Sequence, residues 1–154
     1  MEQELDTVSG RINADHGDVL WTPIRFVTRA YSRKVLAGLF RVARAGVVTP
    51  LRDGMNLVAK EYVAAQDPDN PGVLVLSEFA GAAAELKTAL LVNPNDPEAV
   101  AQAIQRALTM DRPERKRRHA DMMAALLKTD ISGWGERFIS HLMRAPGRAA
   151  LAAE

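Results

Sequence analysis

Between residues 36 and 107 the hydrophobic pattern changes period again and again, and a chain that does this has few folds open to it. Leu36, Leu39, Phe40 and Ala43 fall at i, i+3, i+4 and i+7, one apolar stripe along a helix expected to start near Ser32. Soon after comes "VVTPL" (47–51), too apolar for a strand with one wet face and therefore expected at the centre of a sheet. Met55, Val58, Ala59 and Tyr62 restore the helical stripe, "QDPDNPG" breaks it with turn residues, and "VLVLS" (73–77) is a second apolar strand. A glycine-broken passage, "EFAGAAAEL", leads to "ALLVNP" (89–94), a short strand before a helix capped by Asn95 or Asp96. Upstream, "DVLWTPI" (18–24) is rich in β-formers with a proline near its end and reads as an opening strand. The first dozen residues make at most a short helix. The runs "PEAVAQAIQRALTM", "RPERKRRHADMMAALLK" and "ISGWGERFISHLM" are helical, and 145–154 form a small-residue tail expected to fray.

Strands alternating with helices at this spacing predict right-handed crossovers and a parallel sheet covered on both faces. The expected class is α/β: a partial Rossmann-like sheet with helices trailing from its end, one domain over 1–144 and a flexible tail over 145–154. Ligands of such sheets bind beyond the carboxyl ends of the strands, where loops run into helix N-termini. The stretch "PLRDGMN" occupies one of those places.

Composition removes several alternatives. A formal net charge of +1 gives no global bias toward nucleic acid or a membrane surface. The absence of cysteine excludes thiolate chemistry and disulfides, and His16, His119 and His141 have no ligand-like spacing, so no metal or other cofactor is expected. The polar opening residues do not resemble a signal peptide and no apolar run is long enough for a membrane helix, which makes the cytoplasm the expected compartment. The basic cluster "DRPERKRRH" (111–119) has no interleaved aromatics and reads as a solvated helix start rather than a nucleic-acid patch. Trp21 and Trp134 read as packing residues.

"RDGMNLVAKE" (52–61) reads as an anion seat with a sugar clamp attached. Gly54 leaves room for a ligand to approach the backbone, and the amides of the first turn, roughly Met55 to Val58, are those a helix leaves unsatisfied. Asp53 is placed to accept hydroxyl hydrogen bonds from a polyol. Glu61 stands eight residues on, about 12 Å along a helix axis at ~1.5 Å per residue. On capping statistics alone a plain N-cap and a solvated surface glutamate are what such residues usually are. No GxGxxG, P-loop, HExxH or GxSxG motif is present.

The wording of the chain is more specific than its pattern. "GVVTPLRDGMNLVAKEYVAAQ", "NPGVLVLSEFAGAAAEL" and "ALLVNPNDPEAVAQAI", with "GRIN", "WTPI" and "ISGWGERFISHL", closely resemble the trehalose-6-phosphate synthases, from about Gly10 to Leu142. These are retaining glycosyltransferases of the GT-B type, with two facing Rossmann-like domains. The resemblance implies transfer of glucose from UDP-glucose to glucose 6-phosphate without a metal, giving trehalose 6-phosphate and UDP. By the same resemblance Asp53 meets the donor glucose, and the amides from Gly54 through Met55, Asn56, Leu57 and Val58 serve glucose and diphosphate. Glu61 matches the ribose-binding glutamate, Leu57, Val58, Ala59, Lys60 and Glu61 together line the nucleotide site, and the backbone of Tyr31 matches a position near the uracil.

Set against that family, the chain lacks the N-terminal domain that supplies most of the glucose 6-phosphate site. It also lacks an "RLDYxKG"-like loop that grips the donor phosphates and an "SRGD"-like loop whose arginine serves the acceptor phosphate. The expectation is a C-terminal, donor-side portion that carries no catalytic residue of its own and is inactive alone. It would meet glucose 6-phosphate only with the missing part, and would self-associate or pair with a complementary portion. The other class consistent with the sequence is a non-catalytic relic or interaction module that holds nucleotide weakly.

Overall fold

The computed structural model describes residues 2–128 and 131–144; the tail expected over 145–154 lies outside them. The chain divides into two compact units between Ser32 and Arg33.

The first unit holds one helix, α1 (Glu2–His16), longer than its few apolar residues foretold. The strand expected at 18–24 does not form. Asp18 instead captures the backbone: its Oδ1 accepts from the amides of Leu20 (2.7 Å) and Trp21 (2.8 Å), and its own amide donates to the Trp21 carbonyl (2.9 Å). An Asx turn of this kind offers the chain a local alternative to a ladder. Val19 and Leu20 stand almost wholly in water as a result, and Trp21 is more than half exposed. Further on, Asn13 receives the Ile24 amide at its Oδ1 and donates from Nδ2 to the Ile24 carbonyl.

The second unit is the α/β body. Helix α2 (Arg33–Val42) leads into strand β1 (Ala45–Val48), followed by α3 (Leu57–Ala65), β2 (Val73–Ser77), a 3₁₀ turn (Gly81–Ala84), β3 (Leu90–Val92), α4 (Pro97–Thr109), α5 (Arg112–Lys128) and α6 (Ile131–Arg144). All pairings are parallel, with Ala45 opposite Val73 and Val75 opposite Leu90. The expected centre of the sheet is displaced by one strand. The order is β1-β2-β3, so "VLVLS" is central and wholly buried, whereas the strand at 45–48 is an edge with Val47 turned to solvent. That strand also ends before Thr49 and Pro50, since proline has no N–H to give a ladder.

Both faces of the sheet are covered, as expected. Leu74 and Leu76 of β2 pack with Ala59, Tyr62 and Val63 of α3 and Met122 of α5, while Val73 and Val75 pack with Ala107 of α4 and Met110. Strict alternation along one buried strand thus divides the core into two layers. The C-terminal helices fall where the periodicity puts them, with Asp96 rather than Asn95 capping α4 through the Ala99 amide at 3.0 Å. The cluster at 111–119 is less solvated than expected. Arg115 and His119 are buried, His119 meeting the Val63 carbonyl through Nε2 at 3.1 Å. Trp134 is half exposed and stacks on Phe138 within α6, ring centroids 5.2 Å apart. Among the described residues no helix is long and apolar enough to cross a membrane.

Candidate functional site

The loop after β1 and the loop after β2 are laced together at the carboxyl end of the sheet. Asp53 and Ala80 form an isolated parallel bridge; Gly81 N–H donates to the Asp53 carbonyl (2.9 Å) and Ala82 N–H to the Met55 carbonyl (2.8 Å). Gly81 makes this approach feasible, because a Cβ there would overlap the Gly54 carbonyl oxygen and stand 2.7 Å from its carbon. This support for the loop was not identified from sequence. The glycine inside "EFAGAAAEL" was its only signal there.

Within the loop, Asp53 and Asn56 divide the capping between them. Asp53 Oδ1 accepts from the amides of Met55 and Asn56, both at 3.0 Å, and Oδ2 accepts from Asn56 Nδ2 at 2.9 Å. Asn56, in the left-handed region at φ 67°, is the N-cap of α3 and accepts the Ala59 amide at 2.9 Å. Asparagine tolerates that backbone region better than most residues. The Met55 amide, followed by the Asn56 side chain and amide, holds the Asp53 carboxyl below its ordinary 3.8 against the opposing effect of desolvation.

Of the amides from Met55 to Val58, only those of Leu57 and Val58 lack an acceptor among the described residues. They open the first turn of α3, where the helix dipole is positive. Gly54 has no positive φ, and a Cβ on it would meet nothing within 4 Å, so the space before it is open. Gly54, Met55, Leu57, Val58 and Glu61 are all exposed, which makes the site a ledge rather than a cleft. Glu61 lies one turn beyond Leu57 on the same face of α3.

Two members of the expected set are otherwise engaged. Ala59 is fully buried in the core, and Lys60 Nζ is held by both oxygens of Glu85 at 2.8 and 2.9 Å. Tyr31 belongs to the first unit, where its hydroxyl accepts from Arg29 Nε at 3.1 Å and the guanidinium carbon lies 4.9 Å from the ring centre. No cluster of metal-ligating side chains occurs among the described residues.

The family model for glycosyltransferase family 20 matches residues 1–144. The chain belongs to that family. It is 55% identical over 150 residues to the trehalose-6-phosphate synthase of Salmonella arizonae, covering 97% of this chain and 32% of the relative. The trehalose-6-phosphate synthase of Escherichia coli K12 matches with the same identity and coverage. Among solved structures it superposes on an α,α-trehalose-phosphate synthase (UDP-forming) from Burkholderia xenovorans in complex with glucose 6-phosphate. That match has a TM-score of 0.88 and 56% identity, covering 92% of this chain and 31% of the other. An Escherichia coli structure bound with UDP-2-fluoro glucose gives a TM-score of 0.88 and 55% identity, covering 94% and 32%. The α/β, GT-B assignment stands on these neighbours. The chain spans about a third of the length of the relatives it matches.

Proposed function

We propose that this chain supplies the donor side of a trehalose-6-phosphate synthase: it seats UDP-glucose, whose glucosyl group passes to glucose 6-phosphate with retention of anomeric configuration. The observation that carries the reading is the pair of acceptor-free amides, Leu57 and Val58, at a helix N-terminus beyond a parallel strand, with open space at Gly54 before them. The diphosphate rests on these amides. Asp53, with one lone pair of Oδ2 still available after the Asn56 bond, takes a glucose hydroxyl, and Glu61, exposed on the outward face of α3, takes the ribose. Ala59 and Lys60 act behind the seat, through the core and through Glu85.

A helix N-terminus contributes about 0.3–2 kcal/mol to a bound anion, whereas glycosyl transfer asks for roughly 8–23 kcal/mol of transition-state stabilisation. An exposed ledge with no facing wall among the described residues of the second unit leaves that difference uncovered, since preorganised charges act strongly only where water is excluded. The chain by itself therefore binds UDP-glucose weakly and does not turn it over.

Calorimetry with UDP and UDP-glucose tests the assignment. Asp53→Ala should weaken UDP-glucose more than UDP, which it loosens only through the loop the carboxylate ties down, while Glu61→Ala should weaken both alike. Equal losses for both ligands in both variants would overturn the clamp. Trehalose 6-phosphate formed above background by the purified chain would overturn the claim of inactivity.

A further inference from the structure

A cavity of about 340 Å³ lies at the other end of the sheet, where β1 and β2 begin, lined by Arg41, Arg44, Asp67, Asn70, Gly72 and Arg115. Its charges do not balance. Arg41 is paired with Asp67 at 3.2 Å, and neither Arg44 nor Arg115 has a carboxylate partner among the described residues. Arg44 spends Nη2 on the carbonyls of Leu108 (3.1 Å) and Met110 (2.8 Å), where α4 ends. Arg115 is only 7% exposed; it donates to the Pro71 carbonyl and, at 3.0 Å, to Asn70 Oδ1, while its buried Nε has no acceptor.

A buried cation with an unmet donor is costly to keep. The cost is raised here by a second guanidinium on the same cavity and by the positive end of α5, near which Arg115 sits. Burial, then Arg44 and Arg112, hold the Arg115 pKa below its ordinary value against the smaller opposing effects of Asp111 and Tyr62.

We propose that this cavity is a binding site for a small oxyanion, inorganic phosphate or the phosphate of a monophosphate ester, held between Arg44 and Arg115 with Arg41 at its rim. Guanidinium forks match the oxygens of such a group, and the volume falls at the lower end of the ~300–1,000 Å³ of ligand pockets. Arg41 would then exchange part of its contact with Asp67 for the anion. The site is separate from the donor seat, which follows the opposite ends of the strands.

The test titrates the chain with inorganic phosphate and, separately, with glucose 6-phosphate, at ionic strength held constant with chloride. The arginine Nε–H and backbone amide resonances are followed by NMR. Saturable shifts of the Arg44 and Arg115 Nε–H signals are expected, with affinity weakened about tenfold or more in Arg44→Gln, the scale of one charged hydrogen bond. Arg41→Gln, at an exposed position, serves as a second variant should the first fail to fold, and should weaken binding several-fold. Saturation by phosphate alone assigns the site to the free ion, and tighter binding of glucose 6-phosphate assigns it to an ester. Shifts that grow linearly and equally with chloride, shifts confined to the Leu57 and Val58 amides, or unchanged affinity in a folded variant would each overturn the proposal.

Discussion

Asn56 closes the first turn of α3 by two means at once: its side chain takes the Ala59 amide, and its backbone adopts a left-handed conformation that most residues resist. Replacing it separates the two. Asn56→Ala loses the cap and strains the backbone, an expected cost of about 2 kcal/mol by denaturant unfolding, whereas Asn56→Gly keeps the conformation and should cost roughly half as much. Gly81→Ala should also be destabilising, because the new methyl group meets the Gly54 carbonyl, and backbone on both sides must move. Asp53 gives the same loop a pH dependence of definite sign. Its pKa is lowered on folding, so its contribution is complete above the ordinary value of 3.8 and disappears as pH falls through the lower, folded value. Hydrogen exchange at the Met55 and Asn56 amides should accelerate in that acid range, and in Asp53→Ala it should be fast at every pH. The sequence placed these residues in one loop but not their division of labour. An aspartate three positions ahead of an asparagine leaves open which of them caps the helix, and only backbone angles decide.

At the scale of elements, α2, α3 and β2 are joined by one buried side chain just past the end of α3. Gln66 donates from Nε2 to the Phe40 carbonyl and accepts the Gly72 amide at Oε1, 2.6 Å away. Gln66→Leu would leave the buried Gly72 amide unsatisfied while the Phe40 carbonyl keeps the Ala43 amide, so a loss of about 1–3 kcal/mol is expected from unfolding curves. A loss within experimental error would show that water replaces the amide there. What could be read from sequence at this scale followed burial. The run "VLVLS" was recognisable because both of its faces are covered, and the stripe read for α3 holds at Ala59 and Tyr62, which are buried, but not at Met55, which precedes the helix, or Val58, which is exposed. The stretch "DVLWTPI" misled because β-forming residues carry no information about whether a partner strand exists, and Asp18 supplies a local turn instead. The cluster at 111–119 misled for the opposite reason: charge suggested solvent, yet Arg115 and His119 find carbonyl partners on Pro71 and Val63 inside.

For the whole molecule, the displaced sheet centre has a consequence in solution. Strand β1 is apolar, stands at an edge, and has no second strand partner among the described residues; Val47 is 45% exposed along it. Helix α6 adds exposed Trp134, Phe138, Ile139, Leu142 and Met143. An open apolar edge is a template for another chain, and patches of this kind mark surfaces that something covers. The chain alone should therefore self-associate. Sedimentation velocity across a concentration series should show a rising weight-average coefficient, and Val47→Lys should suppress much of the rise by placing a charge where a second strand would pair. Val47→Thr, which keeps the β-branch without the charge, should suppress it less. If the Lys and Thr variants associate as the parent does, the edge of β1 is not the contact and the face of α6 becomes the surface to alter. A parent chain that stays monomeric throughout would show that the uncovered strand and helix are tolerated without a partner.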